Sequence, residues 1–133
     1  MQEGLSLKLI ERFPDFFQKN QFSMNKNRFH FETGNGWFQI LYDMALELET
    51  EMVKIPLRYT EEFQFYQIKN KFGMLRPYSN LSMVKEVDSL RAIIDTAVLK
   101  SNFVCENCGC ETKERNGMIS LCEECKKKRW TDE

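Results

Sequence analysis

The sequence predicts an α+β fold, in which a small aromatic-rich antiparallel sheet and two long helices precede a short cysteine-containing module. Three observations lead to this prediction. Two stretches have helical periodicity, an aromatic-rich stretch with partial alternation lies between them, and two cysteine pairs follow near the C-terminus. Hydrophobic residues make up 42% of the 133 residues and charged residues 29%, as in ordinary globular proteins.

The two long helices are predicted from apolar stripes. The first follows Gly34-Asn35-Gly36, and the second is expected to begin near Ser82 as N-cap and to end around residues 100–102. In the first helix the apolar positions are Trp37, Ile40, Leu41, Met44, Ala45 and Leu48. In the second they are Met83, Val87, Leu90, Ile94, Ala97 and Val98.

The remaining elements are shorter. A helix capped by Ser6 is expected to end at Pro14, which stops it or opens a new turn. Residues 18–35 are polar and irregular, apart from a short strand expected at 28–31. Residues 62–78 predict two strands bent near Gly73, with Pro77 at a strand edge or exit because proline cannot donate to a central ladder.

Four cysteines have the spacing of metal ligands. Cys105 and Cys108 form one Cys-x2-Cys pair, Cys122 and Cys125 form another, and thirteen residues separate the pairs. Two such pairs are typical of a tetrahedral Zn²⁺ site. Four thiolates leave no open coordination position, so the sequence predicts one structural zinc ion. Cys110 is expected to be a non-ligand, since using it would widen the spacing from Cys105.

The segment around these cysteines is typical of a treble-clef zinc finger. Gly109 permits the left-handed turn of a knuckle, and Asn116-Gly117 favours a tight hairpin. The stretch from Cys122 to Arg129 has acidic residues first and basic residues later, which suits a helix dipole. We therefore expect two domains, an α+β domain at 1–102 and a zinc-finger module at 103–133.

Composition and missing motifs favour a non-enzymatic intracellular protein. No apolar run has the length of a membrane span, and the N-terminal residues do not resemble a signal peptide, so a cytoplasmic location is expected. His30-Phe31-Glu32 has the His-x-Glu form of zinc deaminases, but Val104 replaces their proline and the second cysteine pair would have no role. His30 is the only histidine, which argues against histidine-based catalysis.

The partner could be a nucleic acid or a protein. The net charge of −1 excludes a general nucleic-acid coat, and residues 105–133 carry six basic and seven acidic side chains. Local basic patches keep nucleic-acid binding open as an alternative. These patches contain Lys126, Lys127, Arg129 and Trp130 after the cysteines, and Lys69, Lys71 and Arg76 on the predicted strands. Aromatic richness and near-neutral charge favour protein binding, because exposed aromatic and arginine side chains are common interface anchors.

Four short stretches resemble a family of uncharacterised small proteins encoded by bacteriophages and prophages. They are Gly34-Asn35-Gly36-Trp37-Phe38, Ile68-Lys69-Asn70-Lys71-Phe72-Gly73-Met74-Leu75-Arg76, Cys105-Glu106-Asn107-Cys108-Gly109 and Leu121-Cys122-Glu123-Glu124-Cys125. Family members commonly have an aromatic residue where this chain has Pro77, and many have histidine where it has Cys125. The similarity covers roughly residues 32–125.

The resemblance implies a phage or prophage origin and carries no established activity. Small accessory phage proteins often bind host proteins and redirect or disable them, including defence systems. The resemblance therefore favours a non-enzymatic accessory protein that binds a host macromolecule, most readily a host protein, as an inhibitor or modulator. A zinc-finger nucleic-acid-binding protein or transcriptional regulator is the alternative.

Overall fold

The structure, a computed structural model, describes residues 1–17, 29–115 and 117–131, with residues 130 and 131 as backbone only. These segments contain helices and strands in mixed order, which confirms the predicted α+β class. The helices are α1 Glu3–Arg12, α2 Pro14–Phe17, α3 Phe38–Met52, α4 Asp88–Ser101 and α5 Glu123–Thr131. The strands are β1 Phe31–Glu32, β2 Phe65–Lys71 and β3 Met74–Ser79.

The two long helices α3 and α4 pack against each other and bury most of the predicted apolar stripes. A 3₁₀ turn precedes each of them, Asn35–Trp37 before α3 and Lys85–Val87 before α4. Trp37 and Val87, at the ends of these turns, have no exposed surface. Among the described residues, no helix is both long and apolar enough to cross a membrane.

Two predicted helix starts are wrong. The second long helix begins at Asp88, because the Ser82 hydroxyl accepts a hydrogen bond from the Val84 N–H at 3.4 Å and the chain stays extended there. Met83 is 84% exposed and does not belong to the buried stripe. The first helix begins at Glu3, so Ser6 lies inside α1, where its N–H donates to the Gln2 carbonyl at 3.0 Å.

The sheet has the order β1-β2-β3 and is not wholly antiparallel. Strands β2 and β3 form the predicted antiparallel hairpin, whereas β1 pairs with β2 in parallel, with Phe31 opposite Ile68. The predicted antiparallel sheet is therefore corrected for β1. The chain leaves β1 through α3 before it returns to β2, and such a crossover joins parallel strands. Residues 18–28, including the start of the strand expected at 28–31, lie outside the described residues.

The hairpin between β2 and β3 turns at the predicted place. Phe72 and Gly73 both have positive φ, +57° and +83°, as a two-residue type I′ turn requires. Pro77 lies in β3, an outer strand in the sheet order, where a missing N–H is tolerated. The Leu75 N–H on this strand donates to the buried Ser101 hydroxyl at 3.0 Å, which ties the hairpin to the end of α4.

The core of the first hundred residues is built largely from aromatic rings. Neighbouring ring centroids lie 4.9–6.2 Å apart, mostly edge-to-face, in the range that stabilises aromatic pairs beyond simple burial. The rings belong to Phe13, Phe16, Phe17, Phe29, Phe31, Phe63 and Phe65. This cluster lies between α1, α2 and the inner face of the sheet, so the opposite face of β2 and β3 carries the polar side chains.

Candidate metal centre

Four cysteine side chains converge at the C-terminal end of the chain. The sulfur atoms of Cys105, Cys108, Cys122 and Cys125 all lie within 4.8 Å of one another, and the Sγ atoms of Cys108 and Cys122 are 3.8 Å apart. A tetrahedral ion with metal–sulfur bonds of about 2.3 Å requires sulfur–sulfur edges of about 3.8 Å. No disulfide joins these cysteines. The group could therefore hold one metal ion.

Two short local structures position the four sulfur atoms. In the knuckle, Gly109 has φ +81° and its N–H donates to the Cys105 carbonyl at 2.9 Å, while Val104 bridges to Glu111. Helix α5 begins directly after Cys122 and carries Cys125 in its first turn. Knuckle, loop and ligand-bearing helix follow one another in treble-clef order. The hairpin predicted at Asn116-Gly117 cannot be followed, because Asn116 lies outside the described residues.

N–H groups surround the sulfur atoms. The backbone N–H of Cys108 points at the Cys105 sulfur at 3.5 Å, and the N–H of Cys125 points at the Cys122 sulfur at 3.4 Å. The Asn107 side-chain amide donates to the Cys125 sulfur at 3.4 Å. Such second-layer hydrogen bonds orient metal ligands and partly offset thiolate charge.

The pKa values of the four thiols and their close spacing favour binding of a cation. The Cys125 backbone N–H lowers the pKa of the Cys122 thiol to about 6. The Asn107 amide also favours the thiolate of Cys125, but burial and the neighbouring thiols outweigh it and raise the pKa of Cys125 to about 12. Four thiolates this close repel one another, so they can ionise together only around a positive ion.

The fifth cysteine takes a different role. Cys110 is exposed and is not one of the four cysteines whose sulfur atoms converge. Its carbonyl oxygen accepts a hydrogen bond from the Cys105 N–H at 2.9 Å, so its backbone closes the knuckle.

We call the described residues from 103 to 131 the cysteine segment. Glu106, inside the first cysteine pair, connects this segment to the rest of the protein. Its carboxylate accepts hydrogen bonds from the Gly34 N–H at 3.0 Å, the Asn70 amide at 2.9 Å and the Ser120 hydroxyl at 3.1 Å. Asn70 also donates to the Ser120 hydroxyl oxygen at 2.7 Å. One carboxylate therefore joins the turn before α3, strand β2 and the loop before α5.

Three glycines let the two parts of the chain approach at backbone distance. A Cβ atom at Gly36 would overlap the Cys105 carbonyl oxygen, and one at Gly34 would overlap the Glu106 carbonyl. A Cβ atom at Gly73 would overlap the carbonyl of Gly117. The Gly36 N–H donates to the Glu106 carbonyl at 2.6 Å, which adds a direct hydrogen bond to this contact. The cysteine segment thus packs on both glycine-containing motifs singled out in the sequence.

The packing role of these residues was not foreseen from the sequence. In the sequence, Gly34 and Gly36 precede a helix, Gly73 lies at a strand bend, and Glu106 lies inside a cysteine pair, and none of these positions indicates a contact between the two parts of the chain. A glutamate between two metal-binding cysteines has no ligand role in a four-cysteine site. That mismatch was the one signal that could have identified Glu106.

The predicted basic residues fall into two groups. Lys126, Lys127 and Arg129 lie on α5, where the Lys126 ammonium is 3.5 Å from the Glu123 carboxylate. The Trp130 side chain lies outside the described atoms. Lys69 and Lys71 on β2 and Arg76 on β3 form the second group, on the hairpin.

Comparison with protein-family models, with curated proteins and with solved structures yields no match for this chain.

Proposed function

We propose that this chain is a non-enzymatic protein-binding module, in which one structural Zn²⁺ held by the four cysteines supports a surface for a partner protein. Zinc is the ion of choice because four sulfur donors in tetrahedral arrangement suit its size and softness. Four protein ligands leave no position for water or substrate, which supports a structural ion over a catalytic one.

The observation that carries the proposal is the conformation of Phe72. Its φ of +57° is unusual for a bulky side chain, and 67% of its surface is exposed. Left-handed backbone costs a non-glycine residue about 1–2 kcal/mol, and a type I′ turn prefers asparagine or aspartate at this position. An exposed phenylalanine contributes little to folding that could offset this cost. Strain at an exposed ring is the kind of feature found at binding sites.

Further apolar side chains surround the hairpin turn. Met118 is 72% exposed and Ile119 is also exposed, and their loop touches the turn where Gly73 packs against Gly117. We call Phe72, Met118 and Ile119 the tip patch. Phenylalanine and methionine are enriched in protein interfaces, where they fill pockets of the partner.

The metal site supports two of the three residues of this patch. Met118 and Ile119 lie shortly before Cys122. Ser120, which follows Ile119, is joined to the first cysteine pair because the Glu106 N–H donates a hydrogen bond to the Ser120 carbonyl at 2.7 Å. A bound ion at Cys122 and Cys105 would hold this loop against the hairpin turn. In this proposal the ion is needed for partner binding without touching the partner.

The resemblance to bacteriophage proteins suggests the type of partner. We take the partner to be a bacterial host protein in the cytoplasm, which this chain inhibits or modulates, with defence systems among the candidate targets. The resemblance of the sequence motifs carries this part of the proposal, and the tip patch carries the preference for a protein partner.

Nucleic-acid binding is the second candidate function. Lys126, Lys127 and Arg129 on α5 favour it, because phosphate affinity grows with the number of charges neutralised. Two glutamates in the first turn of the same helix reduce the local positive charge. This candidate therefore ranks below protein binding.

One substitution separates a binding role of Phe72 from a structural one. Asparagine tolerates left-handed backbone, so Phe72→Asn is expected to raise the free energy of unfolding by about 1 kcal/mol. The same change should abolish capture of the host protein by tagged chain in nuclease-treated bacterial lysate. Urea denaturation and the pull-down measure the two effects.

The matched control neutralises α5 instead of the tip. Lys126→Gln, Lys127→Gln and Arg129→Gln together should leave the captured protein unchanged. Material captured only from lysate without nuclease, retained by Phe72→Asn and lost in the α5 variant, would establish nucleic-acid binding instead.

A further inference from the structure

The outer face of the β2–β3 hairpin carries a row of cations. Lys69 lies directly opposite Arg76 in the antiparallel register, and Lys71 lies two residues further along β2 on the same face. Ile68 and Leu75, which directly precede Lys69 and Arg76 in their strands, have no exposed surface, which defines the two faces. We call Lys69, Lys71 and Arg76 the basic stripe. The stripe ends at Lys71, next to Phe72 of the tip patch.

Little in the described part of the chain neutralises this stripe. Like charges directly opposite each other destabilise a strand pair, and none of the three cations forms an ion pair with a described carboxylate. Glu32 on β1 is the register neighbour of Lys69 and offsets part of this charge, but it forms no ion pair with the three cations; its carboxylate accepts a hydrogen bond from the Gln67 amide at 3.0 Å. The Arg76 Nε is shielded from solvent and has no hydrogen-bond partner among the described residues. An anionic partner would offset the like charges of Lys69 and Arg76.

The neighbouring side chains favour a protein over a nucleic acid as that partner. Bases bind single-stranded sites by stacking on free aromatic faces. Here the Lys69 ammonium lies 5.9 Å from the Tyr78 ring centroid, and the Lys71 ammonium lies 5.8 Å from the Phe72 centroid. The chain's own cations therefore occupy ring faces that bases would use. Met118 and Ile119, the rest of the tip patch, are aliphatic and offer no stacking surface.

We propose that the basic stripe binds an extended acidic segment of the partner protein, next to an apolar side chain that the tip patch receives. This inference rests on the protein-binding function proposed above and specifies the chemistry of the partner. Alternate residues of an extended chain are about 6.6–6.8 Å apart, on the partner as on β2. Carboxylates at alternate positions would therefore match Lys69 and Lys71, with Arg76 beside Lys69 able to bind a carboxylate through two N–H groups.

The experiment selects peptides with the zinc-loaded full chain. A library of random twelve-residue displayed peptides is selected on the wild-type chain and on a Lys69→Glu/Arg76→Glu variant. The expected wild-type peptides carry Asp or Glu at alternate positions beside an aromatic or aliphatic residue. The matched control is Lys8→Glu/Lys85→Glu, which reverses two exposed lysines outside the hairpin. Circular dichroism and metal content confirm that each variant is folded.

Affinities of the best selected peptide and of a twelve-residue oligothymidine are then measured by fluorescence anisotropy. Lys69→Glu/Arg76→Glu should weaken peptide binding about tenfold or more, since close charge pairs of opposite sign become repulsive. The control variant should stay within about twofold of wild type, and oligothymidine should bind more weakly than the peptide.

Different results would contradict the protein-binding function and the acidic segment. Selected peptides without an acidic bias, or equal affinity in the stripe variant, would overturn the acidic segment. Loss of the host protein with Phe72→Asn would still support protein binding in that case. Tight oligothymidine binding that Lys69→Glu/Arg76→Glu removes, without any selected peptide, would overturn both in favour of a nucleic acid.

Discussion

The aromatic core and the cysteine segment of this protein are held together by different forces. Seven phenylalanine rings pack within the first 65 residues, and burial of this apolar surface favours folding without a metal ion. Beyond residue 103, the buried apolar residues in the described chain are two of the cysteines themselves. We expect a segment with so little apolar burial to depend on metal binding and on the surface against which it packs. The two regions should therefore respond differently to the same perturbation.

Metal removal is expected to have the largest effect and to separate the two regions. Structural zinc sites have apparent binding free energies of roughly 10–16 kcal/mol, so Cys122→Ser or a strong chelator should cost the cysteine segment its fold. Hydrogen exchange should accelerate at 103–131 and remain slow in α3 and α4. The glycine turns at 34–36 and 73 should loosen with the segment, because they pack on its backbone.

The control for metal removal is Cys110→Ser, which should keep one ion per chain and slow exchange at 103–131. Unchanged exchange of the cysteine segment after verified metal loss would show that the contacts around Glu106 hold it without the ion.

Phe17→Ala should act on the opposite region. Removing a fully buried ring from the aromatic cluster is expected to lower the free energy of unfolding by about 3–5 kcal/mol. The folded variant should still bind one metal ion, because the cysteines are remote from this ring in the chain. Urea denaturation and metal titration measure the two quantities. Phe72→Ala, the same change at an exposed ring, should alter stability by about 0.5 kcal/mol or less.

Gly36→Ala tests the contact between the regions. The added methyl group would overlap the Cys105 carbonyl, and overpacking of this kind costs about 1–3 kcal/mol. Metal affinity should fall together with stability, since the knuckle must move. Gly4→Ala is the matched control, because a Cβ there meets nothing within 4 Å and the added methyl group causes no overpacking. Equal behaviour of the two variants would mean that the knuckle is not docked at Gly36.

The smallest effect is expected at the ion pair between α1 and α3. Arg12 donates two hydrogen bonds to Glu49, at 3.0 and 2.8 Å, and this lowers the pKa of Glu49 below its ordinary value of 4.5. A lowered folded-state pKa stabilises the protein above the unfolded-state pKa, and this contribution disappears as the pH falls through the folded-state value. Glu49→Gln should therefore lower the melting temperature slightly at pH 7 and not at acidic pH. The pair is exposed, so high salt should also reduce the difference.

Local patterns predicted the elements whose cause is local. The apolar stripes of α3 and α4 recur with the helical period, and the turn at Phe72-Gly73 requires glycine at positive φ, so both were correctly predicted. The cysteine spacing likewise brings the two sulfur atoms of each pair together, because only two residues separate them, and two such pairs predict that all four converge. The start of α4 was missed because Ser82 resembles an N-cap in sequence. Its hydroxyl instead stabilises a turn in an extended connection.

The sequence by itself determined the α+β class, the long helices, the hairpin and the four convergent cysteines, since each depends on residues close together in the chain. Only the tertiary structure decided that β1 pairs in parallel and that three glycines and Glu106 join the cysteine segment to the sheet. It also decided that Lys69 faces Arg76 on an open sheet surface. These features depend on contacts between residues up to 72 positions apart, such as Gly34 and Glu106. No local periodicity or spacing records a contact of that kind.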